Sequence, residues 1–358
     1  MNPLKAGATI GILGGGQLGR MLAGSGARLG FDISILCPEE RCPAARTAAQ
    51  HVRAAYEDDA AVLDWARACD VVTYEFENVP VSTVQALIDQ GVMVRPGAKP
   101  LQASQDRVAE KTFLRSCDIA IADFAEVNGP SDIAAPLDRF GGNGILKTRR
   151  DGYDGKGQVR LESGDDFDAA HKALGNHPSI LEALVPFERE VSVIAARDAA
   201  GDMVCYDLPR NQHVNGILRR SVVPCGLSDA VMSQACDAAQ RLAEALDYVG
   251  VLALEFFVLE DGSLIANEFA PRVHNSGHWT PEACATGQFE QHIRAVAGWP
   301  LGPVTRFHDA EMLNLLGDEA SVPPEILAAD GILTLYGKHD AKPGRKMGHL
   351  VRRLGPAS

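Results

Sequence analysis

Two apolar runs joined by a short polar turn constrain the fold of this chain more than any other feature. The runs span residues 251–259 and 263–269, and an Asp261-Gly262 pair lies between them. Such a pair between strand-like runs is typical of a tight two-residue hairpin turn. With these two residues at the centre of the turn, Glu255 would pair with Glu268 across the strands. We therefore expect both carboxylates on one face of an antiparallel sheet.

A facing pair of glutamates requires compensation. Like charges directly opposite on neighbouring strands repel, and a carboxylate among Leu and Phe side chains loses its hydration. A divalent cation would offset both effects, and oxygen ligands that must neutralise charge favour magnesium bridging to a phosphate over zinc. The sequence thus predicts a metal site at Glu255 and Glu268. The alternative is a solvated hairpin face with two unrelated glutamates.

The first hundred residues alternate strand-like and helix-like patterns. Strands are predicted at 9–13, 33–36, 71–74 and 92–95, and helices from about 17, at 59–68 and at 81–90. This alternation predicts a parallel sheet with helices on both faces. A Pro/Gly-rich break at 95–100 suggests a domain boundary. Beyond it we expect helices at 104–116, 229–246 and 281–297, a strand at 190–196, and strands on both sides of a glycine-rich stretch at 147–158.

Composition excludes several classes of protein. A net charge of -13 argues against a general nucleic-acid binder, although an anionic ligand could bind where basic residues gather. No apolar run reaches the roughly 18 residues of a membrane span, and the first residues lack the hydrophobic region of a signal peptide. We expect a cytoplasmic protein. Its eight cysteines show no CxxC pair and no spacing typical of a zinc site or a disulfide framework, so we expect reduced thiols.

The first glycine motif, at residues 14–19, satisfies G-x-G-x-x-G between a strand and a helix. It favours a dinucleotide site, and hence an NAD-dependent oxidoreductase as an alternative function. Glu39 and Glu40 lie where an acidic residue would meet the ribose, but they follow Cys37-Pro38 and fall past the tip of the second strand. A more general interpretation is a turn whose N–H groups receive any anion, including a phosphorylated substrate. A purely structural turn is a further alternative.

A second glycine loop, at 147–158, contains three glycines and four cations but lacks the G-K-[ST] ending of a P-loop. Between two strands it could fold over the phosphates of ATP, while a strand lysine neutralises them; a flexible basic hairpin is the alternative. The segment 267–279 follows the second carboxylate, and Pro271 would end the strand and bring an arginine, a histidine and an asparagine beside the metal. His278 is predicted to be an ordinary solvated histidine.

Five segments, in this order along nearly the whole chain, resemble the ATP-grasp superfamily and, within it, the 5-(carboxyamino)imidazole ribonucleotide synthetases. They are 14–21, 74–80, 152–158, 267–279 and 342–349. The resemblance implies a fold of mixed α/β and α+β type with an ATP-grasp architecture. It also implies a homodimer in the cytoplasm. It implies a Rossmann-like domain at 1–98, a small glycine-loop lid subdomain at 99–180, a catalytic subdomain with a mixed sheet at 181–300, and a segment that binds the substrate phosphate at 301–358.

The resemblance also implies an activity and its ligands. The enzyme would use ATP, Mg²⁺ and bicarbonate to carboxylate the exocyclic amine of aminoimidazole ribonucleotide, a carbon–nitrogen ligase step of purine synthesis. The amine would attack carboxyphosphate, or CO2 released from it in a closed site. Glu255 and Glu268 would hold Mg²⁺, in agreement with the hairpin argument, and Arg272, His274 and Asn275 would take part in catalysis. Arg272 would stabilise the transferring phosphoryl group, and His274 would position groups or transfer a proton.

Two further groups of residues are implied by the same resemblance. Around ATP they are Arg107, Lys147, Gly152, Tyr153, Asp154, Gly155, Lys156, Gly157, Gln158, Glu182, Ala183, Leu184, Val185, Glu190, His213, Asn267 and Glu268. Residues 182–185 would form the hinge beside adenine, and Glu190 would hold the ribose hydroxyls. Around the ribonucleotide they are Gln17, Leu18, Glu75, Tyr153, Asp154, His274, Asn275, Ser276, Lys338, Arg345 and Lys346. A solvated basic tail is the alternative for the last three.

Some alternatives stay open at the level of the sequence. Lys156 stands where many relatives carry arginine, and lysine cannot make a bidentate contact to a phosphate or carboxylate. A sister ligase that activates formate, such as a formate-dependent glycinamide ribonucleotide transformylase, would share the carboxylates and glycine loops. A non-catalytic nucleotide-binding module is a third class, beside the oxidoreductase.

Overall fold

The computed structural model describes residues 2–150, 152, 155–321 and 331–358. Its first unit is a parallel sheet in the order β3-β2-β1-β4. The strands are β1 (Thr9–Leu13), β2 (Asp32–Leu36), β3 (Gln50–Val52) and β4 (Val71–Tyr74), with helices α1 (Gln17–Arg28), α2 (Asp59–Arg67) and α3 (Val81–Asp89). The predicted parallel sheet is thus confirmed. The strand predicted at 92–95 is wrong, because only Val94 bridges to Val72, and Pro96 lacks the N–H to extend a ladder.

Two helices follow the first sheet where a break and one longer helix were predicted. They are α4 (Ala98–Ser104) and α5 (Arg107–Ser116). Asp106 separates them, because its carboxylate accepts hydrogen bonds from the N–H groups of Val108 and Ala109, at 3.0 and 3.2 Å, and so caps α5. The chain therefore becomes helical inside the predicted break, and the predicted helix at 104–116 begins later.

The second unit is a four-stranded antiparallel sheet in the order β5-β8-β6-β7. Its elements are β5 (Phe124–Val127), α6 (Ala134–Arg139), β6 (Asn143–Thr148), β7 (Gln158–Glu162), α7 (Phe167–Ala173) and β8 (Ser179–Ala183). Strands β6 and β7 flank the glycine-rich loop, as predicted. This sheet has its own small core, which includes Val127, Leu137, Leu146 and Leu181.

The third unit is a nine-stranded sheet that runs to the end of the chain, in the order β14-β13-β9-β11-β12-β15-β17-β16 with β10 beside β9. Its strands are β9 (Arg189–Arg197), β10 (Met203–Cys205), β11 (Arg210–Val214), β12 (Ile217–Val223), β13 (Gly250–Val258), β14 (Leu264–Ala270), β15 (His308–Leu316), β16 (Ile332–Leu335) and β17 (Lys346–Pro356). The predicted domain boundaries at 98, 180 and 300 stay predictions.

The helices of this third unit are α8 (Asp229–Ala245), α9 (Thr280–Ala283) and α10 (Gln288–Val296). The helix predicted at 229–246 is confirmed by α8. The single helix predicted at 281–297 is wrong, because Cys284 leaves the helix in an extended conformation and bridges to Arg306. Gly287 then packs so closely that a Cβ atom there would lie 2.7 Å from the Cα of Pro281.

The hairpin of β13 and β14 differs from the predicted two-residue turn. Val258 pairs with Leu264, and the Leu259 N–H donates to the Ser263 carbonyl at 3.0 Å, so the loop has three residues, 260–262. A bulge later in the ladder compensates for the extra residue: Phe256 pairs with Ala266, but Leu254 pairs with Phe269. Glu255 therefore faces both Asn267 and Glu268. The two carboxylates are neighbours as predicted, although by a different route.

The first and third units share one hydrophobic core. It joins Ile10 and Leu22 of the first unit to Val251, Ile293 and Met312 of the third. Polar bonds cross the same boundary, including Thr73 Oγ1 to His292 Nε2 at 2.9 Å. Among the described residues, no helix is long and apolar enough to cross a membrane.

Candidate active site

Three cations and a buried glutamate line the space between the two antiparallel sheets. Arg107 and Lys111 lie one turn apart on α5, Lys147 lies on β6, and Glu182 lies on β8. Glu182 Oε2 accepts from Lys147 Nζ at 3.0 Å and lies 3.4 Å from Lys111 Nζ. Although burial opposes it, these two ammonium groups hold the pKa of Glu182 at about 2. The cluster thus places fixed positive charge beneath the glycine-rich loop.

The same cations reach the second predicted metal ligand. Arg107 Nη1 donates to Glu268 Oε2 at 3.2 Å, and its Nη2 donates to the Gly152 carbonyl at 3.1 Å. Lys111 Nζ donates to the Asn267 carbonyl at 2.5 Å. The structure therefore brings Arg107, Gly152 and both residues of the bulge together, as the sequence predicted.

Glu255, in contrast, lacks comparable compensation. Burial and the neighbouring Glu268 carboxylate raise its pKa to about 7, whereas Arg107 and Lys147 lower the pKa of Glu268 against the effect of burial. Two adjacent carboxylates, of which one resists ionisation, suit a hard divalent cation with oxygen ligands. The side chains of Glu255 and Glu268 thus fit the predicted magnesium.

A chain of buried hydrogen bonds leads to His274. Asn211 Nδ2 donates to Ser192 Oγ at 3.0 Å, and Asn211 Oδ1 accepts from Ser221 Oγ at 2.7 Å. Ser192 Oγ also lies 2.6 Å from Ser276 Oγ, and either hydroxyl can donate in this contact. All four residues are buried. We name Asn211, Ser192 and Ser276 the hydroxyl relay.

The backbone N–H of Ser276 fixes the tautomer of His274. Ser276 Oγ lies 2.8 Å from Nδ1, and the Ser276 backbone N–H donates to the same nitrogen at 3.3 Å. Nδ1 is therefore an acceptor, and the ring proton lies on Nε2, which is 3.3 Å from Glu255 Oε1. Burial and the nearby Arg272 and Lys346 lower the pKa of His274 well below its usual value, which keeps the ring neutral.

Arg272 and Asn275 frame the other side of this site. Arg272 makes a two-pronged contact with Glu77, with Nη2 to Oε1 at 2.8 Å. Although burial opposes it, this guanidinium holds the pKa of Glu77 at about 2. The side-chain amide of Asn275 is buried, and neither its oxygen nor its nitrogen has a hydrogen-bond partner among the described residues. Such an orphaned amide is suited to a ligand that enters the site.

The remaining predicted ATP residues form the edge of the same space. Glu190 on β9 contacts Nδ1 of His213 on β11. Hydrogen bonding to Glu190 raises the pKa of His213, against the effect of burial. Ala183 ends β8, and Leu184 and Val185 begin the connection to β9. The Ala183 N–H donates to the Asp123 carbonyl at 2.8 Å.

The first glycine motif does not present a free anion site. Glu75 follows β4, and its two carboxylate oxygens accept from the N–H groups of Gly16 at 2.6 Å and Gly19 at 2.7 Å. The start of α1 therefore already holds an anion, supplied by the chain itself. The prediction that this turn receives a ligand anion is corrected, and the dinucleotide interpretation loses its binding site.

A basic cleft of about 790 Å³ opens beside this turn. It gathers predicted residues from distant parts of the chain: Gln17, Lys156, Lys338, Arg345 and Lys346. Arg41 and Lys342, which the sequence analysis did not single out, line it too. Leu18 packs in the core with 8% of its surface exposed, and it does not line the cleft. Tyr153 and Asp154 lie outside the described residues.

Two features of the site were missed or wrongly predicted. Lys111 and Glu110 were missed, although they lie four and three residues after Arg107, a spacing that places side chains on one helix face. His278 is wrong as a solvated histidine, because it is fully buried and its Nδ1 lies 3.1 Å from Gln288 Nε2. Gln288 also clamps the backbone of His274 through two hydrogen bonds, of 2.9 and 2.7 Å.

Comparison with protein families assigns each unit. A model described as the ribonucleotide synthetase preATP-grasp domain matches residues 7–105. The ATP-grasp domain matches 112–289, and the phosphoribosylaminoimidazole carboxylase C-terminal domain matches 310–352.

Individual relatives match over almost the whole chain. The N5-carboxyaminoimidazole ribonucleotide synthase of Brucella melitensis is 54% identical over 352 residues, which cover 98% of this chain and 97% of the relative. The solved N5-carboxyaminoimidazole synthetase of Staphylococcus aureus, complexed with ADP, is 34% identical with a TM-score of 0.94, covering 99% and 95% of the two chains. The Aspergillus clavatus synthase, in complex with ADP and 5-aminoimidazole ribonucleotide, is 31% identical with a TM-score of 0.91, covering 98% and 94%.

Proposed function

Because the chain belongs to the N5-carboxyaminoimidazole ribonucleotide synthase family of ATP-grasp enzymes, we propose that it carboxylates aminoimidazole ribonucleotide with ATP and bicarbonate. It is an ADP-forming ligase of purine biosynthesis. The ATP-grasp architecture behind a parallel-sheet N-terminal domain, expected from the sequence, is confirmed. The formate-activating sister enzyme finds no such support.

We propose that ATP lies between the two antiparallel sheets. Its phosphates would meet Arg107, Lys111 and Lys147, whose charges are already gathered around Glu182 and Glu268. The loop around Gly152, Gly155, Gly157 and Gln158 would cover the phosphates. Adenine would lie against the backbone of residues 183–185, and Glu190, held by His213, would accept from the ribose hydroxyls.

Magnesium would be held by Glu255 and Glu268, with Asn267 beside them on the bulge. When bound, the ion would neutralise charge on the ATP phosphates and on the two carboxylates. His274 Nε2 lies 3.3 Å from Glu255 Oε1, and we assign His274 to positioning that ligand rather than to proton abstraction.

The ribonucleotide would occupy the basic cleft. Its phosphate suits Lys338, Arg345 and Lys346, which line one side of the cleft, with Lys156 of the glycine loop opposite. Gln17 and Glu75 would border the base, and the orphaned amide of Asn275 would donate to or accept from a substrate. The site for the acceptor amine would thus adjoin the site for the phosphates.

The reaction follows from this arrangement in two steps. A bicarbonate oxygen attacks the γ-phosphorus of ATP, which gives carboxyphosphate and releases ADP. Arg272, held by Glu77, would offset the negative charge that develops on the transferring phosphoryl group. The amine of the ribonucleotide then attacks the carboxyl carbon, loses a proton and expels phosphate. Because carboxyphosphate hydrolyses readily, the closed glycine loop would exclude water.

The observation that carries this proposal is that Glu255 and Glu268 are neighbours at the bulge, with Arg107, Lys111 and Lys147 gathered beside Glu268. The test is ADP release from Mg-ATP in bicarbonate buffer, with and without aminoimidazole ribonucleotide, together with capture of labelled bicarbonate. We expect Glu255→Gln to lose both signals, whereas Glu260→Gln, on the exposed turn of the same hairpin, should keep them. Turnover with formate and glycinamide ribonucleotide instead would overturn the proposal.

Three further expectations belong to the same proposal. They are a cytoplasmic location, a homodimer, and functional units divided near residues 98, 180 and 300. Light scattering after size exclusion would test the homodimer directly.

A further inference from the structure

Three soft side chains converge at the carboxyl ends of the parallel strands. Cys37 follows β2, His51 lies on β3, and Cys42 lies in the loop between them. Their two sulfurs and one imidazole nitrogen lie within 4.8 Å of one another, and Cys42 Sγ is 3.9 Å from His51 Nε2. Both cysteines are buried, and His51 is half-buried. Spacing along the sequence gave no sign of this cluster.

The fold itself builds this convergence. The parallel register pairs Ile35 with His51, which places His51 and Cys37 at the same edge of the sheet. The turn after β1 supplies the remaining wall. A Cβ atom on Gly15 would lie 2.4 Å from Cys42 Sγ and 2.5 Å from Cys37 Sγ, so glycine leaves the room that the two sulfurs occupy. Each of the first three strands therefore contributes to one small polar space.

We infer that Cys37, Cys42 and His51 bind a thiophilic divalent cation of the zinc class. In a tetrahedral zinc site, bonds of about 2.3 Å to sulfur and about 2.0 Å to nitrogen place those two atoms about 3.5 Å apart. The 3.9 Å between Cys42 Sγ and His51 Nε2 needs only a small contraction. Two thiols exclude Mg²⁺, which requires oxygen ligands, and three protein ligands leave the fourth position to water.

Binding at this cluster is proton-coupled. Each thiol gives up its proton to solvent as a sulfur–metal bond forms, while neutral His51 binds through Nε2. The ion would tie both ends of residues 38–41, and Glu39 and Arg41 of that segment line the basic cleft. Occupancy would thus fix one wall of the cleft. This inference does not depend on the proposed reaction.

The experiment titrates Co²⁺ into the reduced full-length protein, without air and with excess Mg²⁺ to occupy oxygen sites. We expect about one equivalent of Co²⁺ to give thiolate-to-cobalt charge-transfer absorption that Zn²⁺ abolishes. Cys42→Ser should lose this band, and His51→Asn should weaken Co²⁺ binding more than about tenfold. Cys236→Ser is the matched control, because Cys236 on α8 is a half-buried thiol beside Cys205 and lies outside the cluster.

Two results would overturn the inference. One is wild-type protein that shows no thiolate band at stoichiometric Co²⁺. The other is a band that survives Cys42→Ser and disappears in Cys236→Ser. That result would place the ion at Cys205 and Cys236 instead. Because absorption is read without ATP or ribonucleotide, neither result bears on the carboxylase proposal.

Discussion

Glu110 shows how a single buried carboxyl group makes the stability of the metal-free protein depend on pH. It is 3% exposed and accepts from the Phe269 N–H at 2.7 Å. Burial and the Glu268 carboxylate raise its pKa from 4.5 to about 8. Between these values the unfolded chain binds fewer protons than the folded chain, so the free energy of unfolding falls as pH rises, by at most about 1.4 kcal/mol per pH unit from this group.

The variant Glu110→Gln should therefore lose less stability between about pH 5 and 8 than the wild type does. Glutamine keeps an acceptor for the Phe269 N–H but cannot ionise. Urea unfolding of the metal-free protein across this range measures the slope. Glu260→Gln, on an exposed turn, is the control. Equal slopes in Glu110→Gln and wild type would contradict the prediction.

The hydroxyl relay gives a second prediction for a single residue. Ser192→Ala would leave Asn211 Nδ2 and Ser276 Oγ without their partner, at a cost of about 1–3 kcal/mol in the free energy of unfolding. Because Ser276 could then reorient away from His274, we expect kcat to fall roughly tenfold, about 1.4 kcal/mol of barrier, with little change in the KM for ATP.

Tyr206→Phe is the control for this comparison, since it removes a buried hydroxyl that donates to the Thr286 carbonyl at 2.8 Å, away from the site. It should cost stability but leave kcat unchanged. Nitrogen NMR of His274 adds an independent readout, because the Ser276 backbone N–H, which donates to Nδ1, requires the ring proton of the wild type to lie on Nε2. A proton on Nδ1 would be incompatible with this hydrogen bond.

At this scale the sequence predicted the charged residues better than their partners. Glu255 and Glu268 could be found because like charges in apolar strands need an explanation. Ser192 and Asn211 could not, because a serine or asparagine on a strand gives no sign of whether it is buried or which groups it meets.

Among the structural elements, the turn into α1 offers a sharp test. A Cβ atom on Gly16 would lie 2.6 Å from Glu75 Oε1, whereas one on Gly24, in the same helix, would meet nothing within 4 Å. Gly16→Ala should therefore displace the Glu75 carboxylate and destabilise the fold by about 1–3 kcal/mol. Gly24→Ala should stabilise it by about 0.5–1 kcal/mol. Thermal unfolding of both variants measures these changes. Unchanged stability in Gly16→Ala would contradict the prediction, because the turn would then accommodate the added methyl group without strain.

The β13–β14 hairpin shows why element boundaries were easier to predict than register. The two apolar runs marked both strands correctly. A strand repeats every two residues, however, and this period cannot distinguish a two-residue loop from a three-residue loop followed by a bulge. The extra loop residue and the extra bulge residue cancel, so Glu255 and Glu268 remain neighbours. The prediction at the metal site survived an error in the turn.

Over the whole molecule, the distribution of the hydrophobic cores predicts two levels of stability. The first and third units share a core that includes Ile12, Ile194 and Ile293, whereas the second unit packs around its own core near Leu146 and Leu181. We expect amides of β6, β7 and β8 to exchange hydrogen faster than those of β1 and β13, and Mg-ATP to slow them selectively. Hydrogen exchange followed by mass spectrometry tests this, and uniform protection across all three sheets would contradict it.

The sequence could not reveal that one core joins the two ends of the chain. The C-terminal strands β15 to β17 join the sheet of β9 to β14, so residues 301–358 complete a sheet begun more than a hundred residues earlier. Such long-range pairing depends on contacts between distant segments, on which local patterns of hydrophobicity carry no information. Local patterns did suffice to predict that β1, β2 and β4 run parallel.

The carboxylate of Glu75 acts as a built-in counter-ion for the backbone N–H groups at the start of α1. Truncation by Glu75→Ala would leave two converging backbone N–H groups, on Gly16 and Gly19, around a gap the size of one small carboxylate. Formate should enter that gap and restore part of the lost thermal stability, whereas chloride, which cannot bridge both donors, should not. A glycine motif shared with dinucleotide-binding proteins would then behave as a receptor for a one-carbon acid, which shows that the occupant of the turn defines its chemistry.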